Sequence, residues 1–251
     1  MPSITTHIYI ATKIRARLQG TNIQAHTGNL ILGATYPDIR SMIKVPREQT
    51  HFSSLDVSNV GTGTEKMFAS YPKLHELDDK NVSFICGYIS HLVTDELWII
   101  EMYRPHFGTH ASIQDGIRNN LWDRAIQLDI DQTCRNALGK LDLIENMVNK
   151  SGQDIGINFI DDKNLIQWKE WVCKFIQKGP GWDRLRFHTS RMYENTEYFE
   201  QAMNLTNHFI ESLPDSLNGP YSTVTPKKVS SFVEDAVEKS LQFATRYLNV
   251  S

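Results

Sequence analysis

Residues 81–102 read NVSFICGYISHLVTDELWIIEM, the most apolar long stretch of the chain. Val82, Phe84, Ile85, Tyr88, Ile89, Leu92, Val93, Leu97, Trp98, Ile99 and Ile100 recur so closely that, wound as a helix, they nearly encircle it. A helix that is apolar on most sides belongs in the middle of a bundle rather than on its surface. Among the polar residues of that stretch, His91 and Asp95 stand one helical turn apart and therefore on one face. Arg104-Pro105 is the expected end of the helix.

Working outward, helical periodicity dominates and strand-like alternation is scarce. Helices are predicted from about Thr6 to Leu18, Ser112 to Arg135, Leu138 to Asn149, Asn164 to Lys178 and Pro226 to Leu248. A further one, from Trp182 to Leu213, is expected to break near Glu194-Asn195. Ser112 with Asp115 three residues on suits an N-cap, as does Thr225 before Pro226. The apolar run Gly28 to Ala34 ends at the turn Tyr36-Pro37-Asp38. Residues 40–60 are polar and interrupted by Pro46, which suggests an ordered loop or lid, and 214–225 reads as a loop. With no repeat or low-complexity tract, the expected fold is all-α, a single-domain multi-helix bundle (1–251) around the central His-x-x-x-Asp helix.

Composition narrows the function classes. The chain has 251 residues, 40% of them hydrophobic, enough to bury a substantial core. Its 26 basic and 29 acidic residues leave a formal net charge of -3, without the basic footprint of a nucleic-acid partner. No apolar run approaches the roughly 18 residues of a membrane span, and the N-terminus lacks the pattern of a secretory signal. Cys86, Cys134 and Cys173 are odd in number, widely spaced and without a CxxC pair, so neither a disulfide framework nor a thiolate zinc site is expected. A cytoplasmic setting without stable membrane insertion is the expectation.

The chemistry concentrates around His91 and Asp95. Both are costly to bury unless paired or coordinating a cation, so the pair is either a metal site or a packing hydrogen bond. Three other fragments add candidates: His7 in the first helical turn, Asp38 in the turn after the apolar run, and His51 in Thr50-His51-Phe52. Gly-x-Ser-x-Gly, P-loop and Gly-x-Gly-x-x-Gly signatures are absent. Arg40, Arg47, Arg104, Arg184, Arg186 and Arg191 are candidate cations for a substrate phosphate, with Arg40 the first to test because it follows Asp38 closely.

Taken in order, Thr6-His7, Gly33-Ala34-Thr35-Tyr36-Pro37-Asp38, Thr50-His51-Phe52 and Gly87 to Asp95 resemble the zinc-dependent phospholipase C family. The resemblance covers roughly residues 1–105. It implies an all-α metal hydrolase holding up to three zinc ions. Asp38, His51, His91 and Asp95 would form one site, with Asp95 bridging to a second ion held by His7. Asp38 would act either as a ligand or as the general base that orients water. One or two zinc ions are expected, although this ligand set also suits iron or manganese. The expected partner is a small-molecule or phosphoester substrate.

The sequence also departs from the family pattern. In the secreted members the free N-terminal residue helps ligate the ion held by the first His, whereas this sequence starts with Met1-Pro2. Trp98 stands shortly after Asp95 where the family places further ligands. Neither His188 nor His208 has a Glu four residues on. His106, His110 and His188 are retained as candidates for completing the site or contacting substrate. Iron or manganese chemistry of another kind, or a non-catalytic helical binding protein with a structural metal, remain alternatives.

Overall fold

The computed structural model describes residues 1–18, 21–108, 112–179 and 181–248. Its helices are α1 (Ile4–Arg17), α2 (Thr27–Thr35), the short α3 (Arg40–Ile43) and α4 (Glu48–His51), α5 (Thr62–Ser70) and α6 (Asp79–Leu97). A π-helical segment, Trp98–Tyr103, prolongs α6 into α7 (Arg104–His106). Then come α8 (Ile113–Leu138), α9 (Leu141–Asn149), α10 (Asp162–Lys178), α11 (Asp183–Tyr193), α12 (Phe199–Glu211), α13 (Asn218–Thr223) and α14 (Pro226–Leu248). No strand occurs among the described residues, and the fold is all-α.

The long apolar stretch forms the centre, as its composition demands. Every residue from Ser83 to Ile99 is buried, and α6 is packed against α1, α2, α5 and α14. Asp78 caps its start by accepting the Asn81 N–H at 2.9 Å. The closest approach is to α2 and is made by glycine. A Cβ on Gly33 would lie 1.9 Å from the Phe84 carbonyl oxygen, and one on Gly87 1.9 Å from that of Leu30. Two backbones in such contact allow the end of α2 to reach the His91 ring.

Past Asp95 the helix widens to π geometry, a device that re-aims side chains without ending the helix. Trp98 turns inward there, donating its indole N–H to Asp123 of α8 at 3.0 Å and meeting Phe232 of α14 edge-on. Arg104-Pro105 does not stop the helix as expected. Pro105 lies in the first turn of α7, where a missing N–H breaks no bond. The expected loops at 40–60 and 214–225 contain α3, α4 and α13, helices too short to show periodicity. Ser112 and Thr225 do cap the helices that follow them. Gly139, at φ 69°, ends α8 and delays α9 to Leu141. A smaller apolar cluster of Leu121, Ala125 and Leu128 with Leu185 and Phe209 joins α8 to α11 and α12. No helix of the described residues is long and apolar enough to cross a membrane.

Candidate metal centre

The five candidate ligands come from four segments and meet at one face of α6. The turn after α2 supplies Asp38, the end of α4 supplies His51, α1 supplies His7, and α6 supplies His91 and Asp95. His51 Nε2 lies 3.2 Å from both His91 Nε2 and Asp95 Oδ2, and His91 Nε2 lies 3.6 Å from Asp95 Oδ2. Asp38 Oδ1 stands 3.9 Å from His51 Nε2 and 4.0 Å from His91 Nε2. A tetrahedral ion with bonds of about 2.0–2.1 Å places its ligand atoms roughly 3.3 Å apart. The histidines and Asp95 are therefore already at ligand spacing, and Asp38 closes the cluster from slightly farther out. His7, His51, His91 and Asp95 are buried, while Asp38 is 29% exposed and forms the open side.

Two of the three imidazoles, His91 and His51, are oriented by a partner on the far nitrogen. His91 Nδ1 donates to the Ala34 carbonyl at 2.9 Å, which leaves Nε2 as the lone-pair nitrogen facing the cluster. His51 Nδ1 meets the Thr50 hydroxyl at 2.9 Å. The turn carrying His51 is fixed from three sides. Its N–H donates to the Arg47 carbonyl at 2.8 Å, the Tyr88 hydroxyl of α6 donates to the Thr50 carbonyl, and a Cβ on Gly63 would lie 2.4 Å from the His51 carbonyl. Phe52 then adopts φ 55° to end α4, its ring packed against Tyr71, Tyr88 and Phe159.

His7 stacks on His91, ring centroids 3.9 Å apart and planes 16° from parallel. Its Nε2 is 3.5 Å from Asp95 Oδ1, yet neither ring nitrogen nor that oxygen has a hydrogen-bond partner. Buried polar atoms without partners are uncommon and costly, and an imidazole facing a carboxylate oxygen is a donor set that suits a divalent ion. His91 falls within both groups of converging ligand atoms, one with His7 and Asp38 and one with His51 and Asp95. With Nδ1 engaged by Ala34, it has one nitrogen to give to one ion.

Sequence reading placed Arg47 among candidate phosphate binders, but the guanidinium is buried and bonded to Asp95 Oδ2 at 3.1 Å. Its Nη1 lies against the Met1 sulfur, and its Nε is unpartnered. Arg47 and His51 are four residues apart on α4 and its entry, the same spacing as His91 and Asp95 opposite. That spacing was the available signal.

Burial and charge oppose one another here. Burial pushes His51 down to about 4 and also lowers His7, in both cases against the pull of Asp95. For His91 burial is again the largest influence, but the charge and hydrogen bond of Asp95, with Asp38 and the Ala34 carbonyl, leave it raised. Asp95 remains well below the usual carboxylate range because His91, His51 and His7 outweigh its burial.

Glu96, next to Asp95, points the other way. It accepts the Gly61 and Gly63 N–H groups at 2.6 and 2.7 Å, a carboxylate seated at the start of α5. The Gly61-Thr62-Gly63-Thr64 stretch thus has a purpose that its sequence alone did not reveal. Asp131 of α8 accepts both the N–H and hydroxyl of Thr6, beside His7, at 3.0 and 2.6 Å.

The remaining candidates stand apart. Arg40 begins α3, partly exposed, outside both ligand groups. His106 ends α7 and contacts the ring of Phe107. His188 is on α11, lining a cleft with Arg124. His110 lies outside the described residues. Cys86 and Cys134 are buried and Cys173 partly so, none of them paired.

A family model described as Zinc dependent phospholipase C matches residues 6–149. No curated protein and no solved structure matches the chain. The matched span contains all five converging side chains and exceeds half of the sequence. On that match, with His7, Asp38, His51, His91 and Asp95 gathered on one buried face, the chain belongs to the zinc-dependent phospholipase C family.

Proposed function

We propose that the chain is a metal-dependent phosphoester hydrolase whose first ion is held by Asp38, His51, His91 and Asp95. The observation that carries this reading is the spacing of 3.2–3.6 Å among His51 Nε2, His91 Nε2 and Asp95 Oδ2, with the His91 ring oriented from outside. His7 and Asp95 Oδ1, the unpartnered pair, would hold a second ion, with Asp95 then shared between the two. Imidazole and carboxylate donors suit zinc, and iron or manganese accept the same set.

A divalent ion so held lowers the pKa of a coordinated water toward neutrality and stabilises charge on a phosphoryl oxygen. The chain's own groups do the rest. Asp38, alone of the five in meeting solvent, is placed to orient the attacking water or to receive its proton. Ala34 and Thr50 keep His91 and His51 presenting Nε2. The buried apolar surroundings of α6 limit water around the cluster. Arg47 holds Asp95 in place while its charge offsets the carboxylate's. Arg40, two residues beyond Asp38, remains a candidate for contacting the substrate's oxygens.

Elemental analysis of wild type beside Asp95→Asn, with phosphomonoester and phosphodiester turnover in zinc and manganese, tests the reading. Wild type should carry one or two equivalents and turn over a phosphoester, and the variant should lose both properties. Full metal content and unchanged activity in Asp95→Asn would overturn it.

A further inference from the structure

The turn after α2, the α3–α4 segment and the start of α10 enclose a pocket of about 100 Å³. A single water needs roughly 10–15 Å³, so the space admits a small organic molecule. Its floor consists of the buried residues Tyr36, Ile39, Thr50 and Tyr88. Ile43 and Val45 line it from either side of Lys44, whose φ of 56° turns the chain there. The pocket adjoins the candidate metal centre without being part of it. Tyr36 and Ile39 bracket Asp38, Gln49 and Thr50 precede His51, and Tyr88 comes nearly one turn before His91 on α6. Thr50 belongs to both places, since its hydroxyl lies 2.9 Å from His51 Nδ1.

The lining selects the chemistry of an occupant. The ring centroids of Tyr36 and Tyr88 lie 6.4 Å apart and those of Tyr88 and Phe159 5.5 Å apart, so three of the lining residues form a continuous aromatic group. The negative face of such a ring favours the weakly positive C–H groups of a saturated skeleton. Gln49, Asn164 and Asp161 add two carboxamides and a carboxylate, which between them donate to and accept from hydroxyl groups. Among the described residues no lysine, arginine or histidine lines the pocket, so an anion would meet no counter-charge there. Burial holds both phenols protonated, pushing Tyr36 up to about 12 and Tyr88 well above the usual phenol value. That leaves Asp161 as the ionised group of the lining, and its Oδ1 already accepts the Asn164 N–H at 2.8 Å as the N-cap of α10. The positive end of the helix offsets its charge. The pull on an organic cation is reduced accordingly, while the second carboxylate oxygen can still accept from a hydroxyl.

We propose that this pocket binds a neutral polyol of sugar-like size, its C–H groups against Tyr36, Tyr88 and Phe159 and its hydroxyls on Gln49, Asn164 and Asp161. Concave sites of this kind, largely apolar with a few fixed polar groups, are the usual form of a small-molecule site. The polyol is either a free molecule or the alcohol part of a phosphoester; only in the second case does the proposal rest on the hydrolase reading.

Titration of the isotope-labelled full chain with D-glucose, read by NMR at the side-chain amides of Gln49 and Asn164, tests this. Both signals should shift saturably at millimolar glucose and stay still with inorganic phosphate or tetramethylammonium. Asp161→Ser keeps a capping oxygen for α10 but withdraws the carboxylate, and should weaken glucose binding about tenfold. Val45→Trp should fill the pocket and abolish binding; Asp161→Ser carries the test if that variant does not fold. No saturable shift in wild type, glucose binding that ignores Asp161→Ser, or an equal response to tetramethylammonium overturns the proposal. With zinc added, tighter binding of a glucose monophosphate than of glucose supports the pocket as the place of an ester's alcohol part, and equal binding supports it as a site for a free polyol. A chain that holds no metal yet binds glucose in this way keeps the pocket and overturns the hydrolase reading.

Discussion

The Nδ1 of His91 lies 2.9 Å from the carbonyl oxygen of Ala34, so the last turn of α2 sets which nitrogen of His91 faces the candidate metal centre. That bond exists because Gly33 and Gly87 let α2 and α6 touch backbone to backbone. Gly87→Ala drives a methyl into the Leu30 carbonyl, 1.9 Å from the new carbon, and pushes the helices apart. The expected cost is roughly 1–3 kcal/mol or more, together with weaker metal binding. Denaturant midpoint and metal content check it together, and a variant normal in both would show that close helix contact is not what orients His91.

Glu96 straps the start of α5 to the central helix. Glu96→Ala leaves the Gly61 and Gly63 N–H groups without their acceptor, at roughly 1–3 kcal/mol for each buried group. Glu96→Gln keeps an acceptor oxygen and should lose less. Amide hydrogen exchange at Gly61 and Gly63 should quicken in the alanine variant; exchange as slow as in wild type would mean that the strap is dispensable.

Arg47 matters most when no ion neutralises Asp95. Arg47→Met removes a buried cation 3.1 Å from that carboxylate and should destabilise the metal-free chain by a few kcal/mol. With zinc bound the loss should be smaller, since the ion meets the same charge. Thermal melts with and without chelator compare the two; equal losses in both states count against the arrangement.

Asp131 gives the stability a pH dependence of its own. Burial raises its carboxyl from 3.8 to about 7, despite the two bonds from Thr6. Between those values the folded chain binds a proton that the unfolded chain has released, so stability falls as pH rises from about 4 to about 7. Asp131→Asn lacks that proton and should flatten this part of the profile. Relative to wild type it should gain a few kcal/mol on going from pH 4 to pH 8. Urea denaturation across that range is the measurement, and parallel profiles for the two chains would refute the assignment.

Much of the site was legible because it rests on local spacing. His91 and Asp95 share a face wherever that segment is helical, and an apolar surround makes the pair expensive without a partner. His7, Asp38 and His51 were legible as fragments in order. Arg47 was visible but assigned to substrate, because its partner Asp95 is 48 residues away and nothing in the polar loop announces it. The capping of α5 by Glu96 was hidden for the same reason, and α3, α4 and α13 are too short for a periodic signal.

By itself, the sequence determined an all-α chain with a buried central helix, since apolar residues on every side of 83–99 can be satisfied only by surrounding helices. It also determined which side chains are chemically able to hold a metal. Tertiary structure alone decided how those side chains are arranged. The contact of α2 with α6 turned His91 Nε2 inward, the packing of α1 left His7 and Asp95 Oδ1 facing without partners, and α11 brought His188 into a cleft with Arg124. Distances between segments far apart in the chain depend on close-packed side-chain and backbone contacts, which no local pattern encodes.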